Sequence, residues 1–324
     1  MKAGISRRAM LLAAGTGMAL TARAQTAPTY PSQMVKIVVP FAPGATADAL
    51  ARRLAQKLQQ AWKRPVIVEH RPGAGGSIAT QFVARSAPDG HTVLLHLASI
   101  LQFPHLLAKK PYVVSRDLTP VTRLIRGQLM LAIQPDIPAK NLQEFVALAK
   151  ARPGTYNYGS YGNGTTPHIQ GAAFARQAGI DINHVPFSGT APLMQALMGK
   201  HITAAMLDVV AAQTMKGSLR LLAATGSDRW PSLPDVPSFK ELGYTALDTA
   251  GWTGFFMPAG TPPAVVQRFA DEIQRTLKMP DMREQIDAMG LIPYSGSVQD
   301  FALQIQSDDL LFERIIRENQ ITLD

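Results

Sequence analysis

The chain has 324 residues, contains no cysteine and carries a formal charge of +9, from 32 basic and 23 acidic residues. The lack of cysteine excludes disulfides, thiolate nucleophiles and sulfur-ligated metals. No Lys/Arg run is long enough to follow a phosphate backbone, and the few aromatic residues do not interleave with basic ones, so we expect no nucleic-acid partner. The chain also exceeds the size at which one hydrophobic core usually stops growing, which favours two lobes.

Residues 1–24 predict an export signal. Lys2 and the Arg7-Arg8 pair precede a charge-free apolar stretch, and Ala22-Arg23-Ala24 offers the small residues that a signal peptidase reads. Removing the four basic residues of this segment from +9 leaves a mature charge of +5. The apolar stretch is too short to span a membrane. We therefore expect a periplasmic protein that is not membrane-embedded, exported by the general route or by the twin-arginine route.

The first structural unit, residues 35–62, is typical of a strand, a turn and a helix. The strand is the β-branched run Val35, Ile37, Val38 and Val39, as expected for a strand buried on both faces of a sheet, and Pro40 and Pro43-Gly44 end it. Leu50, Leu54 and Leu58 then recur at helical spacing. Unpaired N–H groups in the first helical turn could receive an anion, although an ordinary strand–helix loop has the same pattern.

Two further strands, residues 65–69 and 91–97, end in small or polar residues. A glycine-rich loop at 71–77 follows the first of them, and Ala98-Ser99 follows the second. The glycine-rich loop is neither a dinucleotide fingerprint, because Ile78 replaces the third glycine, nor a Walker loop. Ligands of open α/β sheets bind outside the carboxyl ends of strands, so we expect these loops to share one wall.

The second half of the chain repeats the pattern. Strands at 156–160 and 182–187 lead into the small-residue loops 161–165 and 188–190, and a strand at 202–207 ends at Asp208. Further strands are predicted at 219–225 and, as a return strand, at 252–258. Ser238 and Glu241 should cap a short helix between these strands, and three more helices are predicted at 261–277, 280–289 and 298–318.

The element order predicts an α/β, two-lobed fold of the periplasmic-binding-protein kind (type II-like). Each lobe would be a mostly parallel sheet flanked by helices, with a ligand cleft between the lobes. We assign residues 25–125 plus 254–324 to lobe 1 and residues 126–253 to lobe 2.

The residues needed for catalysis are difficult to find. Ser160 lies in a segment like a nucleophile elbow, but Tyr158 stands where G-x-S-x-G needs its first glycine. No histidine follows His201 to complete a triad with Ser160 and Asp208. His91 and His96 point to opposite faces of a strand, which does not suit a metal. We therefore expect no enzymatic activity, no metal and no cofactor, and a secreted hydrolase is the less favoured alternative.

The motifs, taken in order, resemble those of the Bug-type receptors of tripartite tricarboxylate transporters. They are Val39-Pro-Phe-Ala-Pro-Gly-Ala-Thr-Ala-Asp48, Arg71-Pro-Gly-Ala-Gly-Gly76, Pro88-Asp-Gly90, the loop 160–165, Val185-Pro-Phe-Ser-Gly189 and Leu233-Pro-Asp-Val-Pro237. The resemblance covers nearly the whole mature chain. It implies a periplasmic solute receptor that holds a small carboxylate through loop amides, Ser/Thr hydroxyls and bridging waters.

The resemblance also implies a partner in the membrane. That partner would be a permease, and a sensor kinase is an alternative that the sequence does not separate from it. We expect the receptor itself to be a monomer. The chain departs from the family pattern at Ala45 and Ala79, which replace glycines, and at Phe103, which replaces an asparagine. These changes narrow or dry part of the cleft.

The predicted ligand-binding residues lie at the loop exits of both lobes. In lobe 1 they are Phe41, Gly44, Ala45, Thr46, Asp48, Ala74, Gly75, Gly76, Ala98 and Ser99. In lobe 2 they are Tyr161, Gly162, Gly164, Thr165, His168, Phe187, Ser188, Gly189, Thr190 and Asp208. Asp48 either complements the helix dipole or selects ligands that carry an amino group. A bulky β-branched residue at Gly75 or Gly162 should block the ligand and leave the unliganded fold largely intact.

Overall fold

The computed structural model describes residues 30–41, 43–44 and 46–323. The predicted export signal and the candidate site residue Ala45 lie outside the described residues. The strands are β1 (Val35–Val39), β2 (Val66–His70), β3 (Thr92–Leu97), β4 (Leu118–Gly127), β5 (Leu129–Ile133), β6 (Asn157–Ser160), β7 (Asn183–Pro186), β8 (Ala204–Asp208), β9 (Arg220–Ala224), β10 (Gly251–Pro258) and β11 (Ile292–Pro293). The helices are α1 (Thr46–Trp62), α2 (Ser77–Ala84), α3 (Ser99–Gln102), α4 (Val114–Asp117), α5 (Leu142–Ala151), α6 (Thr166–Ala178), α7 (Thr190–Met198), α8 (Val209–Thr214), α9 (Pro263–Leu277), α10 (Pro280–Ala288) and α11 (Val298–Glu318).

The strands form two sheets. The first sheet has the order β11-β4-β10-β3-β1-β2, and the second has the order β7-β6-β8-β5-β9. In the first sheet β1 pairs in parallel with β2 and β3, whereas the returning strand β10 runs antiparallel to both β3 and β4. In the second sheet β6 pairs in parallel with β7 and β8, and β5 runs antiparallel to β8 and β9. The α/β class and the two-lobed fold are confirmed, but the sheets are mixed rather than mostly parallel.

The chain passes between the sheets at two neighbouring points. It leaves the first sheet at the end of β4 and returns at the start of β10, and these points are adjacent because Gly127 pairs with Gly251. The next residue, Gln128, accepts a hydrogen bond from the Val209 amide at the end of β8. The carboxyl ends of β1 to β3 and of β6 to β8 therefore both lie next to the crossing. The lobe boundaries assigned from the sequence stay a prediction.

Amphipathic helices cover the sheets and form the cores. The helix α1 buries Leu50, Leu54 and Leu58 completely or nearly so, and these side chains pack with those of α9 and the first sheet. On the other face α11 buries Phe301 and Phe312. The Asp308 carboxylate of α11 accepts a 2.7 Å hydrogen bond from the indole of Trp252, which ties α11 to β10. The C-terminal helix thus packs against the first sheet.

Two predicted local features differ from the structure. Ser238 and Glu241 exchange the expected capping bonds, at 3.2 and 3.1 Å, but no helix follows because the chain turns away at Gly243 after one turn. Conversely, the sequence did not predict α8, whose first N–H groups are capped by Asp208 at the end of β8. Among the helices of the described residues, none combines the length and apolar character needed to cross a membrane.

Candidate functional site

The candidate site is built from strand exits of both sheets, and one hydrogen bond joins them. The exits of the first sheet are the segments after β1, β2 and β3, and those of the second follow β6, β7 and β8. The Thr166 hydroxyl at the start of α6 donates to the Gln102 side-chain oxygen at the end of α3, over 2.9 Å. The structure therefore brings loops of the two sheets into direct contact across the crossing.

The β1–α1 loop is held by Asp48. One carboxylate oxygen accepts from the Gly44 amide at 2.9 Å, and the other accepts from Arg52 at 2.8 Å and lies 2.7 Å from the His70 ring nitrogen. Asp48 is only 5% exposed. Burial opposes its ionisation, but the three hydrogen bonds outweigh that effect and lower its pKa. Both oxygens are engaged within the lobe, which favours a structural role for Asp48 over ligand selection.

The other predicted residues of the β1–α1 loop differ in whether they are free to contact a ligand. The Gly44 amide is already bound by Asp48, so it is not free for a ligand. Thr46 is exposed at the first position of α1. The half-buried Phe41 ring packs edge-on against the His96 ring, with centroids 5.6 Å apart. Of this loop, Thr46 and Phe41 therefore remain candidates for ligand contact.

The β2–α2 loop presents unpaired amides. The N–H groups of Ala74 and Gly75 have no acceptor in the described part of the chain, and both residues are exposed. Gly75 and Gly76 have φ values of 60° and 94°, which favour glycine. A Cβ at Gly75 would overlap the Phe103 ring, and one at Gly76 would overlap the His96 ring. The expectation that a bulky residue at Gly75 spares the fold is therefore wrong, because that residue would have to displace Phe103.

The β3–α3 exit is more enclosed. Ala98 is buried, and its amide donates to the Trp252 carbonyl oxygen of β10 at 3.1 Å. That amide belongs to the sheet and is not free for a ligand. Ser99 is half-buried at the first position of α3.

The 161–165 loop of the second lobe is bonded mainly to itself. The Gly162 amide donates to the Ser160 hydroxyl, and the Gly164 amide donates to the His168 ring at 3.0 Å. The Thr165 hydroxyl donates to the Gly162 carbonyl oxygen at 2.7 Å. These groups shape the loop and are not free donors. A side chain at Gly164 would meet Leu106 and Leu323, so this loop lies against the first lobe and the last described residues of the chain.

The β7–α7 exit supplies the free donors of the second lobe. Ser188 is exposed, and the N–H groups of Ser188 and Gly189 have no acceptor among the described residues. Nothing lies within 4 Å of a Cβ built at Gly189. Thr190 begins α7, and the half-buried Phe187 ring lies against Gly159. This exit is therefore the most open of the predicted loops in the second lobe.

Asp208 and Tyr161 form one polar pair. The Tyr161 hydroxyl lies 3.4 Å from one Asp208 oxygen, and the other oxygen accepts from the Ala211 amide at 2.9 Å. Burial raises the pKa of the Asp208 carboxyl. Burial and, to a smaller extent, the negative charge of Asp208 raise the pKa of the Tyr161 hydroxyl. Asp208 is therefore a helix cap that keeps one oxygen near Tyr161.

Ser160 has a histidine partner that the sequence did not predict. The Ser160 hydroxyl lies 2.7 Å from the His184 ring nitrogen and also donates to the Gly162 carbonyl oxygen at 3.0 Å. The arrangement resembles a nucleophile and its base, but Ser160 is completely buried. The Asp208 carboxylate is engaged with Tyr161 and Ala211 instead. The Ser160–His184 pair thus braces the loop rather than presenting a nucleophile.

Sequence reasoning missed three buried polar residues of the first lobe. Ser77, His96 and Gln102 are at most 2% exposed, and each has a side-chain N or O atom without a hydrogen-bond partner in the described structure. His96 was considered only as a metal ligand, Ser77 only as the last residue of the glycine-rich loop 71–77, and Gln102 was not considered. For His96 the available signal was a polar residue near the end of an otherwise apolar strand.

The fold and the paired loops define the class of two-lobed solute-binding proteins. Residues 50–321 match the family described as tripartite tricarboxylate transporter family receptor, and the chain belongs to that family. It is accordingly a periplasmic solute-binding receptor of the Bug type.

Three solved structures of similar proteins match nearly the full described chain. The periplasmic binding protein BugD is 28% identical, with 90% of this chain and 99% of that one covered and a TM-score of 0.78. Rpa4515 of R. palustris with adipate is 27% identical, with coverages of 90% and 99% and a TM-score of 0.81. MatC of Rhodopseudomonas palustris with bound malate is 28% identical, with coverages of 89% and 100% and a TM-score of 0.78.

Proposed function

We propose that this receptor captures a small carboxylate between its lobes through backbone amides, hydroxyls and waters. The observation that carries the proposal is the hydrogen bond from Thr166 to Gln102, which closes the strand exits of one sheet onto those of the other. Free N–H groups at Ala74 and Gly75 belong to the first lobe, and those at Ser188 and Gly189 belong to the second. Each lobe would therefore contribute donors to a ligand bound between the lobes.

These donors suit an anionic ligand that is held by backbone amides and not by a lysine or arginine side chain. Amides at strand exits and helix N-termini carry partial positive charge and can hold a carboxylate by themselves. None of the predicted ligand-binding residues is a lysine or an arginine. The adipate and malate bound by two similar proteins are both carboxylates, which supports the proposal.

We also propose that the receptor delivers its ligand to a membrane permease, as the description of its family suggests. The predicted export signal would place the mature chain in the periplasm, where a monomeric receptor could hand its ligand to the permease. We propose binding without chemical conversion and without a metal or cofactor. The burial of Ser160, the best candidate nucleophile, supports that view.

A thermal-shift screen with carboxylates tests the proposal. A ligand that binds only the folded protein stabilises it by about 2.7 kcal/mol at one hundred times its dissociation constant. We expect carboxylates to raise the melting temperature and their primary amides to leave it unchanged. Moderate salt should weaken this binding less than it weakens an exposed ion pair. A full carboxylate library without any shift, or recovery of a chemically altered ligand, would refute the proposal.

A further inference from the structure

Three unpartnered polar atoms belong to neighbouring segments of the first lobe. They are the Ser77 hydroxyl oxygen, the His96 ring nitrogen Nε2 and the Gln102 amide nitrogen Nε2, and none has a hydrogen-bond partner in the described structure. Ser77 is 2% exposed, and the other two residues are fully buried. Leaving a buried donor or acceptor unpaired destabilises a folded protein, so three such atoms in one region need an explanation.

The glycine loop before α2 contacts both of the other segments that carry these atoms. His96 Nε2 faces the open side of Gly76, where a Cβ would overlap it, and Ser77 is the next residue. Gly75 lies against the ring of Phe103, which directly follows Gln102. Residues 75–77 therefore adjoin both His96 and the 102–103 segment. The free Ala74 and Gly75 amides are on the same loop.

Gln102 connects this group to the place where the lobes meet. Its side-chain oxygen accepts from Thr166 of the second lobe, while its nitrogen is left without an acceptor in the described residues. The Gln102 amide is therefore oriented by a bond that exists only when the loops are together. A ligand group at this position would be enclosed as the lobes close.

The side chains of Ser77, His96 and Gln102 are electrically neutral. Burial lowers the pKa of His96 to about 4, although a hydrogen bond to the Leu97 backbone opposes that shift. No charged side chain contributes to the shift. His96 Nδ1 lies 2.8 Å from the Leu97 nitrogen and 2.9 Å from the Leu97 oxygen, so either ring tautomer is supported. The free Nε2 can accordingly donate or accept. A neutral hydroxyl group, which both donates and accepts, matches this set, whereas a second buried carboxylate would need a compensating charge.

We propose that Ser77, His96 and Gln102 form a polar subsite that binds a hydroxyl group carried by the carboxylate ligand. The inference rests on the proposed function, because the loop amides hold the carboxylate of the same molecule. It makes the preferred ligand a hydroxy acid. A ligand without the hydroxyl group would leave the three atoms unpaired and would bind more weakly.

Titration calorimetry with matched ligand pairs tests the subsite. The pairs are malate and succinate, citrate and tricarballylate, and lactate and propionate, whose members differ by one hydroxyl group. We expect the hydroxylated member of a bound pair to bind at least about tenfold more tightly, as one well-placed hydrogen bond allows. In Ser77→Ala that preference should fall about fivefold, while the melting temperature stays the same or rises because an unpaired buried hydroxyl is removed.

Ser86→Ala is the matched control, because Ser86 lies just beyond the other end of α2 and donates to the Phe82 carbonyl oxygen at 2.9 Å. It should lower the melting temperature slightly and leave the ligand preference unchanged. The proposed subsite is wrong if both members of each bound pair have equal affinity, or if Ser77→Ala leaves the preference unchanged. The three atoms would then be hydrogen-bonded to bound water. Binding of other carboxylates but of no hydroxy acid also overturns it and leaves the proposed function standing. Absence of binding by every carboxylate overturns both.

Discussion

At the scale of single residues, we expect histidines with lowered pKa values to make the stability of this receptor depend on pH. The His168 and His184 rings stack with centroids 3.9 Å apart. Burial, followed by the charge of His168, lowers the pKa of His184 to about 4, and burial lowers the pKa of His96 to a similar value. Protonation of either residue would place a charge in a site with no compensating carboxylate among its hydrogen-bond partners.

We predict that the free energy of unfolding falls as the pH decreases from about 6.5 to 4. Over that range the unfolded chain binds protons that the folded chain excludes, so acid favours unfolding. One such histidine gives a slope of at most about 1.4 kcal/mol per pH unit. Urea unfolding at a series of pH values measures it, and His184→Asn should reduce the slope. A slope that His184→Asn leaves unchanged would show that His184 does not contribute.

Asp48 is the second residue with a testable role. Because its buried carboxylate binds the Gly44 amide, Arg52 and His70, we expect Asp48→Asn to lower the free energy of unfolding by about 2 kcal/mol. Binding of a carboxylate and of its amino-substituted analogue should weaken equally, since the loop is disturbed for both. Chemical denaturation and calorimetry measure the two effects. A selective loss of the amino analogue would instead assign Asp48 to ligand selection.

At the scale of elements, caps fix where the helices begin. Ser297 caps α11 in a reciprocal box in which its hydroxyl accepts from the Asp300 amide at 3.0 Å and Asp300 accepts from the Ser297 amide at 2.8 Å. The long helix α11 covers the first sheet, so its start affects the stability of that lobe.

We expect Ser297→Ala to lower the free energy of unfolding by about 1 kcal/mol, the usual cost of a lost N-cap. Urea unfolding at pH 7 measures the change. Ser295→Ala, two residues earlier at an exposed position, is the control and should change stability by less than about 0.5 kcal/mol. Equal effects of the two substitutions would contradict a capping role.

The capped and strongly periodic elements are those that the sequence predicts well. The bounds of α11 were predicted at Val298 and Glu318, and β1 was predicted at its observed residues. The helix α8 was missed because Asp208 was taken as the end of a strand when it also caps a helix. The predicted helix after Ser238 fails because a capping pair fixes only one turn and cannot extend it without a periodic apolar face.

The site was predicted less completely than the fold. Loop positions follow from strand order, but whether a given amide is free depends on which side chain folds back onto it. The Gly44 and Gly164 amides are bound by Asp48 and His168, each four residues later in the first turn of the following helix, although both loops were predicted to be open. The Ser160–His184 contact joins neighbouring strands β6 and β7 and becomes visible only once their register is known.

At the scale of the whole molecule, the Thr166–Gln102 bond is the contact that joins the strand exits of the two sheets. We expect Thr166→Val to weaken carboxylate binding about fivefold, because it removes one hydrogen bond that closure forms and leaves the Gln102 oxygen unpaired. Calorimetry with the carboxylate found in the thermal screen measures this. Thr214→Val, which removes an exposed bond to the Val210 carbonyl oxygen, is the control and should leave affinity unchanged. Equal affinities of both variants and the wild type would contradict a role for the bond in closure.

The position of Leu323 affects how the receptor can be handled in the laboratory. Its amide donates to the Leu106 carbonyl oxygen at 2.9 Å, and its side chain lies where the 161–165 loop approaches at Gly164. Residues of a purification tag fused directly after Leu323 would begin beside that loop and would hinder its contact with the first lobe. A tag before Tyr30, which packs against Trp62 and His91 on the first lobe, avoids that contact. Affinities from the two fusions should therefore differ, and the amino-terminal one should represent the native receptor.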